Sequence, residues 1–89
     1  MYQAHLIISG RVQGVFYRAS CKEVALQYGL TGYVKNLQTG EVEVLAQGEK
    51  DKVEKLIEWC KKGPPNADVI DVDTMWENVS KTFQKFEVR

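Results

Sequence analysis

Two polar residues, Arg18 and Asn36, stand in settings from which they could act on an anion. Arg18 closes the stretch "SGRVQGVFYR", where a strand pattern stops at a glycine-containing loop and a helical pattern begins. Such a loop either turns a corner or gathers backbone N–H groups around an anion. In the second case Gln13, Gly14, Val15, Phe16, Tyr17 and Arg18 would supply the donors. Gly14 suits a turn that needs positive φ, and its missing side chain would also let a phosphate oxygen approach the main chain. A guanidinium at the first turn of a helix is mildly unfavourable beside the positive end of the macrodipole, by about 0.3–1 kcal/mol. An anion held between the two reverses that sign. The planar guanidinium can also donate two parallel hydrogen bonds to a phosphate, which a lysine cannot. The structural alternative is a surface arginine paired with a carboxylate. Asn36, at the end of "GYVKN", reads either as a turn residue or as a carbonyl and amide suited to hold a water in line. Arg11, at the outer edge of the loop, reads as solvated.

Other chemistries lack their parts. The lone histidine, His5, lies within a strand pattern and has no partners for a triad or a metal set. Cys21 and Cys60 are far apart in sequence, with no C-x-x-C spacing, so they read as two reduced thiols, one on each predicted helix, or as a bridge if those helices lie side by side. Twelve basic and twelve acidic residues balance, so no cationic excess is available for duplex nucleic acid, and an anion site must be local. No apolar run approaches a membrane span, and "MYQAHLIISG" lacks the basic leader and apolar segment of a signal peptide. The expectation is a cytoplasmic chain away from membranes, and charge balance without apolar surface stripes predicts a monomer.

The elements that must position Arg18 and Asn36 follow from periodicity. "AHLIISG" alternates Ala4, Leu6 and Ile8 against His5, Ile7 and Ser9, as in a strand with both faces partly covered. Tyr17, Cys21, Val24, Ala25 and Tyr28 recur at helical spacing up to Gly29. "TGYVKN" and "EVEVLAQG" read as two strands joined by a hairpin with Gly40 at its turn. Val53, Leu56, Ile57 and Cys60 form the apolar stripe of a second helix, ended by Pro64 and Pro65. "DVIDVDTMWE" predicts a fourth strand with Ile70, Val72 and Trp76 on one side, and "TFQKFEVR" a short closing strand. This order predicts one α+β domain over residues 1–89: a ferredoxin-like β-α-β-β-α-β sandwich, an antiparallel sheet with two helices on one face and a short fifth C-terminal strand. In sheet order 4-1-3-2 the first two strands run the same way with one strand between them. Their ends, the "RVQGVFYR" loop and Asn36, should then lie ~10 Å apart at one sheet edge, from a strand spacing near ~4.8 Å.

With those residues on the page, "GRVQGVFYR" resembles the signature loop of the acylphosphatases. "GYVKNLQTGEVEVLAQG" resembles that family's second signature, with Gly32, Asn36, Gly40, Val42 and Gly48 at the family's spacing. Length, element order and the closing "FEVR" fit as well, so the resemblance spans essentially the whole chain. One departure is Tyr17, where family members often carry phenylalanine; its hydroxyl then needs a partner. The resemblance implies hydrolysis of the carboxyl–phosphate bond of acyl phosphates to carboxylate and inorganic phosphate. Arg18 would bind the phosphoryl group, Asn36 would position the attacking water, and no metal or cofactor would be required. The implied partners are a small-molecule acyl phosphate and inorganic phosphate as product and inhibitor. The alternative is a non-catalytic phosphate- or anion-binding regulatory module of the same fold; an RNA-recognition domain is disfavoured because "EVEVLAQG" has no aromatic residue.

Overall fold

In the computed structural model, which describes every residue from Met1 to Arg89, the N-terminal alternation becomes strand β1 (Tyr2–Arg11). Helix α1 (Tyr17–Gln27), strands β2 (Thr31–Asn36) and β3 (Val42–Gly48), helix α2 (Lys50–Lys62), and strands β4 (Asp68–Glu77) and β5 (Phe86–Val88) follow. The sheet order is β4-β1-β3-β2-β5. The first four strands pair antiparallel, and β5 adds beside β2 in the parallel sense, which makes the sheet mixed. The structure therefore has the expected ferredoxin-like sandwich, with the fifth strand on the far edge from β4. No helix is long and apolar enough to cross a membrane.

The core lies between one sheet face and the two helices. Ala4, Leu6 and Ile8 of β1 and Val42, Val44 and Ala46 of β3 are fully buried there. Tyr17, Cys21 and Ala25 of α1, with Val53, Leu56, Ile57 and Cys60 of α2, cover them. Both helical stripes are those expected from spacing. Cys21 and Cys60 are free and completely buried, and the hydrogen bond to Cys60, with burial, pushes the Cys21 thiol well above its ordinary pKa. That thiol stays protonated and unreactive.

β4 departs from its expected pattern. Ser9 pairs with Asp71 and Gly10 with Val69, so Ile70 is an extra residue opposite the β1 ladder. This bulge expels Ile70 into solvent and turns Val69 toward the core in its place. The expectation that Ile70 shares the side of Val72 and Trp76 is thus corrected by the bulge, which reverses the alternation on one side of it.

The segment between β4 and β5 must travel from one sheet edge to the other. It crosses the face opposite the helices, held by Gln47 of β3. The Gln47 amide nitrogen donates to Gln3 Oε1 (2.7 Å) and to the Lys81 carbonyl (2.5 Å), and its oxygen accepts from the Phe83 N–H (3.0 Å). Phe83 then stacks edge-on against Tyr33, with ring centroids 5.8 Å apart. Because the Lys81 and Phe83 backbone groups are used by a side chain, the closing strand begins only at Phe86, later than "TFQKFEVR" suggests.

Gly32 permits the tightest approach within the sheet. A Cβ there would lie 1.8 Å from the Leu45 carbonyl oxygen, and its φ of 134° disfavours any side chain. Its N–H donates to the Lys85 carbonyl at 3.1 Å, just before β5. Gly32→Ala is expected to lower the unfolding free energy by about 3 kcal/mol or more, measured by urea denaturation. A loss under about 1 kcal/mol would show that the sheet yields there.

Candidate active site

The β1–α1 loop begins where β1 ends, and its chain path is set by two left-handed residues, Gly14 (φ 74°) and Phe16 (φ 65°). Residues of this hand curl successive N–H groups toward one concave side. A Cβ on Gly14 would meet no atom within 4 Å, so it is the backbone conformation, and not crowding, that calls for glycine in the protein itself. Phe16 caps α1 without a side-chain hydrogen bond. The first helical bond is donated by Ser20 to the Phe16 carbonyl at 3.1 Å. None of the N–H groups from Gly14 through Ala19 donates to another protein group. The loop is a run of oriented donors at a helix N-terminus, the arrangement that favours an anion.

Arg18 and Asn36 line one cleft of about 320 Å³ with Gly14, Phe16 and Tyr17. The expected meeting of the β1 and β2 ends is what the structure contains. Arg18 is half-buried and forms no ion pair with an Asp or Glu side chain. Its Nη1 instead donates to the main-chain oxygen of Arg89, the last residue, at 2.9 Å, which fixes the guanidinium while leaving further N–H donors free. Asn36 is the last residue of β2, paired with Val42, and its side chain takes no part in the hairpin. The turn closes without it: Leu37 N–H donates to the Glu41 carbonyl (2.8 Å), and Gly40 N–H to the Leu37 carbonyl (3.1 Å). The exposed Asn36 amide is therefore free for another partner.

The remaining loop residues serve in other ways. Val15 turns its side chain into the core. The Tyr17 hydroxyl donates to the Cys60 carbonyl at 2.7 Å, its ring stacks on Trp59, and burial raises its pKa, so it anchors the loop to α2 as a neutral phenol. Gln13 faces away from the cleft. Its amide nitrogen donates to the carbonyls of Leu37 (2.8 Å) and Glu41 (2.9 Å), tying the loop to the hairpin that follows Asn36. His5 lies on the opposite sheet face, with Nε2 2.5 Å from Glu43, and has no part in the cleft. Arg11 is exposed, as expected. Sequence reasoning missed Val88, which lines the cleft, and the main-chain oxygen of Arg89 that holds Arg18. No local pattern in "FEVR" points to either, because both arrive through the parallel docking of β5.

Comparison with known proteins agrees with this fold. The family model named Acylphosphatase matches residues 4–88. An acylphosphatase from Pyrobaculum islandicum is 48% identical over 97% of this chain and 92% of its own length. Among solved structures, an acylphosphatase from Coxiella burnetii superposes with a TM-score of 0.94 at 43% identity, covering 99% of this chain and 92% of that one. The Bacillus subtilis acylphosphatase gives 0.96 at 32% identity, covering 100% and 99%.

Removing the Gln13 tie tests how firmly the loop is held. Gln13→Ala is expected to cost about 1–2 kcal/mol of stability by urea denaturation, since two part-buried hydrogen bonds are lost. Gln13→Glu, which cannot donate, should cost at least as much; wild-type stability in both variants would show that the loop holds itself.

Proposed function

The chain belongs to the acylphosphatase family, a hydrolase acting on acyl phosphates, and from that premise we propose that Arg18 and the β1–α1 loop bind the phosphoryl group while Asn36 aligns the attacking water. The observation that carries this reading is the run of N–H groups from Gly14 through Ala19 without a protein acceptor, in a loop that lines the same cleft as Arg18 and Asn36.

In the proposed reaction the phosphoryl oxygens accept from the loop N–H groups and from the Arg18 guanidinium, which stabilise charge on the equatorial oxygens as the transition state forms. The Asn36 carbonyl accepts from a water and directs its lone pair at phosphorus, opposite the acyl oxygen. As the new O–P bond forms, the bridging O–P bond breaks, and its electron pair leaves with the carboxylate. That leaving group is a stable anion near neutral pH, so no general acid is required. The water's proton passes to a phosphate oxygen. In this reading charge stabilisation falls to Arg18 and the loop amides. Inorganic phosphate, sharing the same donors, acts as a competitive product inhibitor.

The working unit in this reading is one domain and a monomer. Every helix and the four long strands feed one core, and Asp68, Asp71 and Asp73 on the open β4 edge oppose pairing with a second copy. Two free buried thiols suit the reducing cytoplasm. Charge balance gives nucleic acid no footing.

Arg18→Ala is expected to lower kcat/KM for benzoyl phosphate about 10³-fold, with Arg18→Lys recovering little, because the fork and not only the charge is used. Near-normal turnover in either folded variant would remove Arg18 from the site. Asn36→Ala should reduce kcat about 10²-fold while the inhibition constant of inorganic phosphate changes less than about threefold. Equal losses in both would place Asn36 in the phosphate-binding shell. Activity should persist in chelator.

A further inference from the structure

Phe16 is the one residue other than glycine held at positive φ, and its side chain is 78% exposed. Both facts run against its chemistry. A left-handed backbone costs a residue bearing Cβ about 1–2 kcal/mol, which glycine would avoid and asparagine would reduce. An aromatic ring left in water also forgoes the burial that normally repays its presence. The core gains nothing from the ring at this position, and it makes no aromatic pair. What it does line is the cleft of Arg18 and Asn36.

A second apolar surface joins it. Val88 pairs with Val34 in the β2–β5 ladder, and Val88 lines the same cleft while remaining 42% exposed. Ala19, on the first turn of α1, adds a methyl group. The cleft is thus divided in character, with the Arg18 guanidinium and loop amides against an apolar surface of Phe16, Ala19 and Val88. No Asp, Glu or Lys side chain lines it. An acyl phosphate is divided in the same way, with a dianionic phosphoryl group at one end and the acyl group at the other.

We propose that Phe16 and Val88 form the acyl subsite of this enzyme, and that it selects acyl phosphates with compact apolar acyl groups, flat aromatic ones foremost. This deepens the preceding reading and rests on it: with the phosphoryl group on Arg18 and the loop, the acyl group emerges against the Phe16 ring. The ring can stack on a planar acyl group, and the small cleft volume, near the ~300 Å³ lower end for ligand pockets, limits its size. A charged acyl group would lose hydration there without gaining a partner. Because the acyl group touches this wall before and during reaction alike, its contribution falls on KM more than on kcat.

The test compares benzoyl phosphate with acetyl phosphate in the wild type, Phe16→Asn and Val88→Thr. Asparagine tolerates the left-handed backbone without the ring, and threonine keeps the shape of valine while adding a hydroxyl. The ratio of kcat/KM for benzoyl over acetyl phosphate should fall about fivefold in Phe16→Asn and about twofold in Val88→Thr, mainly through KM for benzoyl phosphate. Intrinsic reactivity of the two substrates cancels in this comparison. The inert carbon analogues phenacylphosphonate and acetonylphosphonate, with a methylene in place of the bridging oxygen, read the same wall as inhibition constants without turnover. An unchanged ratio in both measurements overturns the subsite, even where Phe16→Asn slows both substrates. A folded wild type that turned over neither substrate would overturn the catalytic reading, and the acyl subsite with it.

Discussion

The loop from Gly14 through Ala19 lines a cleft with a run of backbone N–H groups that no other protein group accepts. Most of the structure around the loop can be understood as what keeps those donors from finding partners inside the protein. Val15 is drawn into the core, the Tyr17 hydroxyl is tied to the end of α2, and the Gln13 amide is tied to the β2–β3 turn. Three anchors pointing in three directions prevent the loop from collapsing on its own N–H groups. The left-handed backbone at Phe16 belongs to the same arrangement, because a residue of ordinary hand there would carry the helix ladder back into the loop.

Electrostatics follow from this framework. Arg18 adds a positive charge beside the positive end of α1, which the folded protein alone has no reason to favour. It is held by the main-chain oxygen of Arg89 and not by an Asp or Glu side chain. The guanidinium is thus fixed beside the loop amides with N–H donors to spare, as the proposed binding of a phosphoryl group requires. A chain with no net charge can in this way concentrate donors at one place.

The crossing segment joins the two faces of the sheet into one functional object. Gln47, a fully buried polar residue, satisfies its amide with Gln3, Lys81 and Phe83, and so fixes the path from the β4 edge to the β5 edge. That path brings β5 alongside β2, with Val88 in the cleft and the main-chain oxygen of Arg89 on Arg18. A side chain on the face away from the helices thus helps shape the cleft.

Local pattern was enough for the helices, the four long strands and their order, because those depend on which face each apolar residue prefers, and Tyr17, Val53 or Leu6 declare that face by spacing. It was also enough to bring Arg18 and Asn36 to one edge, since strand direction follows from element order. It did not reveal the bulge at Ile70, where an inserted residue preserves the apolar alternation in sequence while reversing it in space. Nor did it show that Gln13 points to the hairpin, that Tyr17 bonds to Cys60, or that β5 docks in parallel. Each of these is a choice of partner by a group with no periodic signature: an amide, a hydroxyl and a three-residue strand. The sequence by itself determined which segments fold and which polar residues share an edge, because periodicity encodes burial. Only the tertiary structure decided which distant atoms hold the loop open and which apolar side chains wall the cleft, because hydrogen-bond partners far apart in the chain are selected by the completed fold.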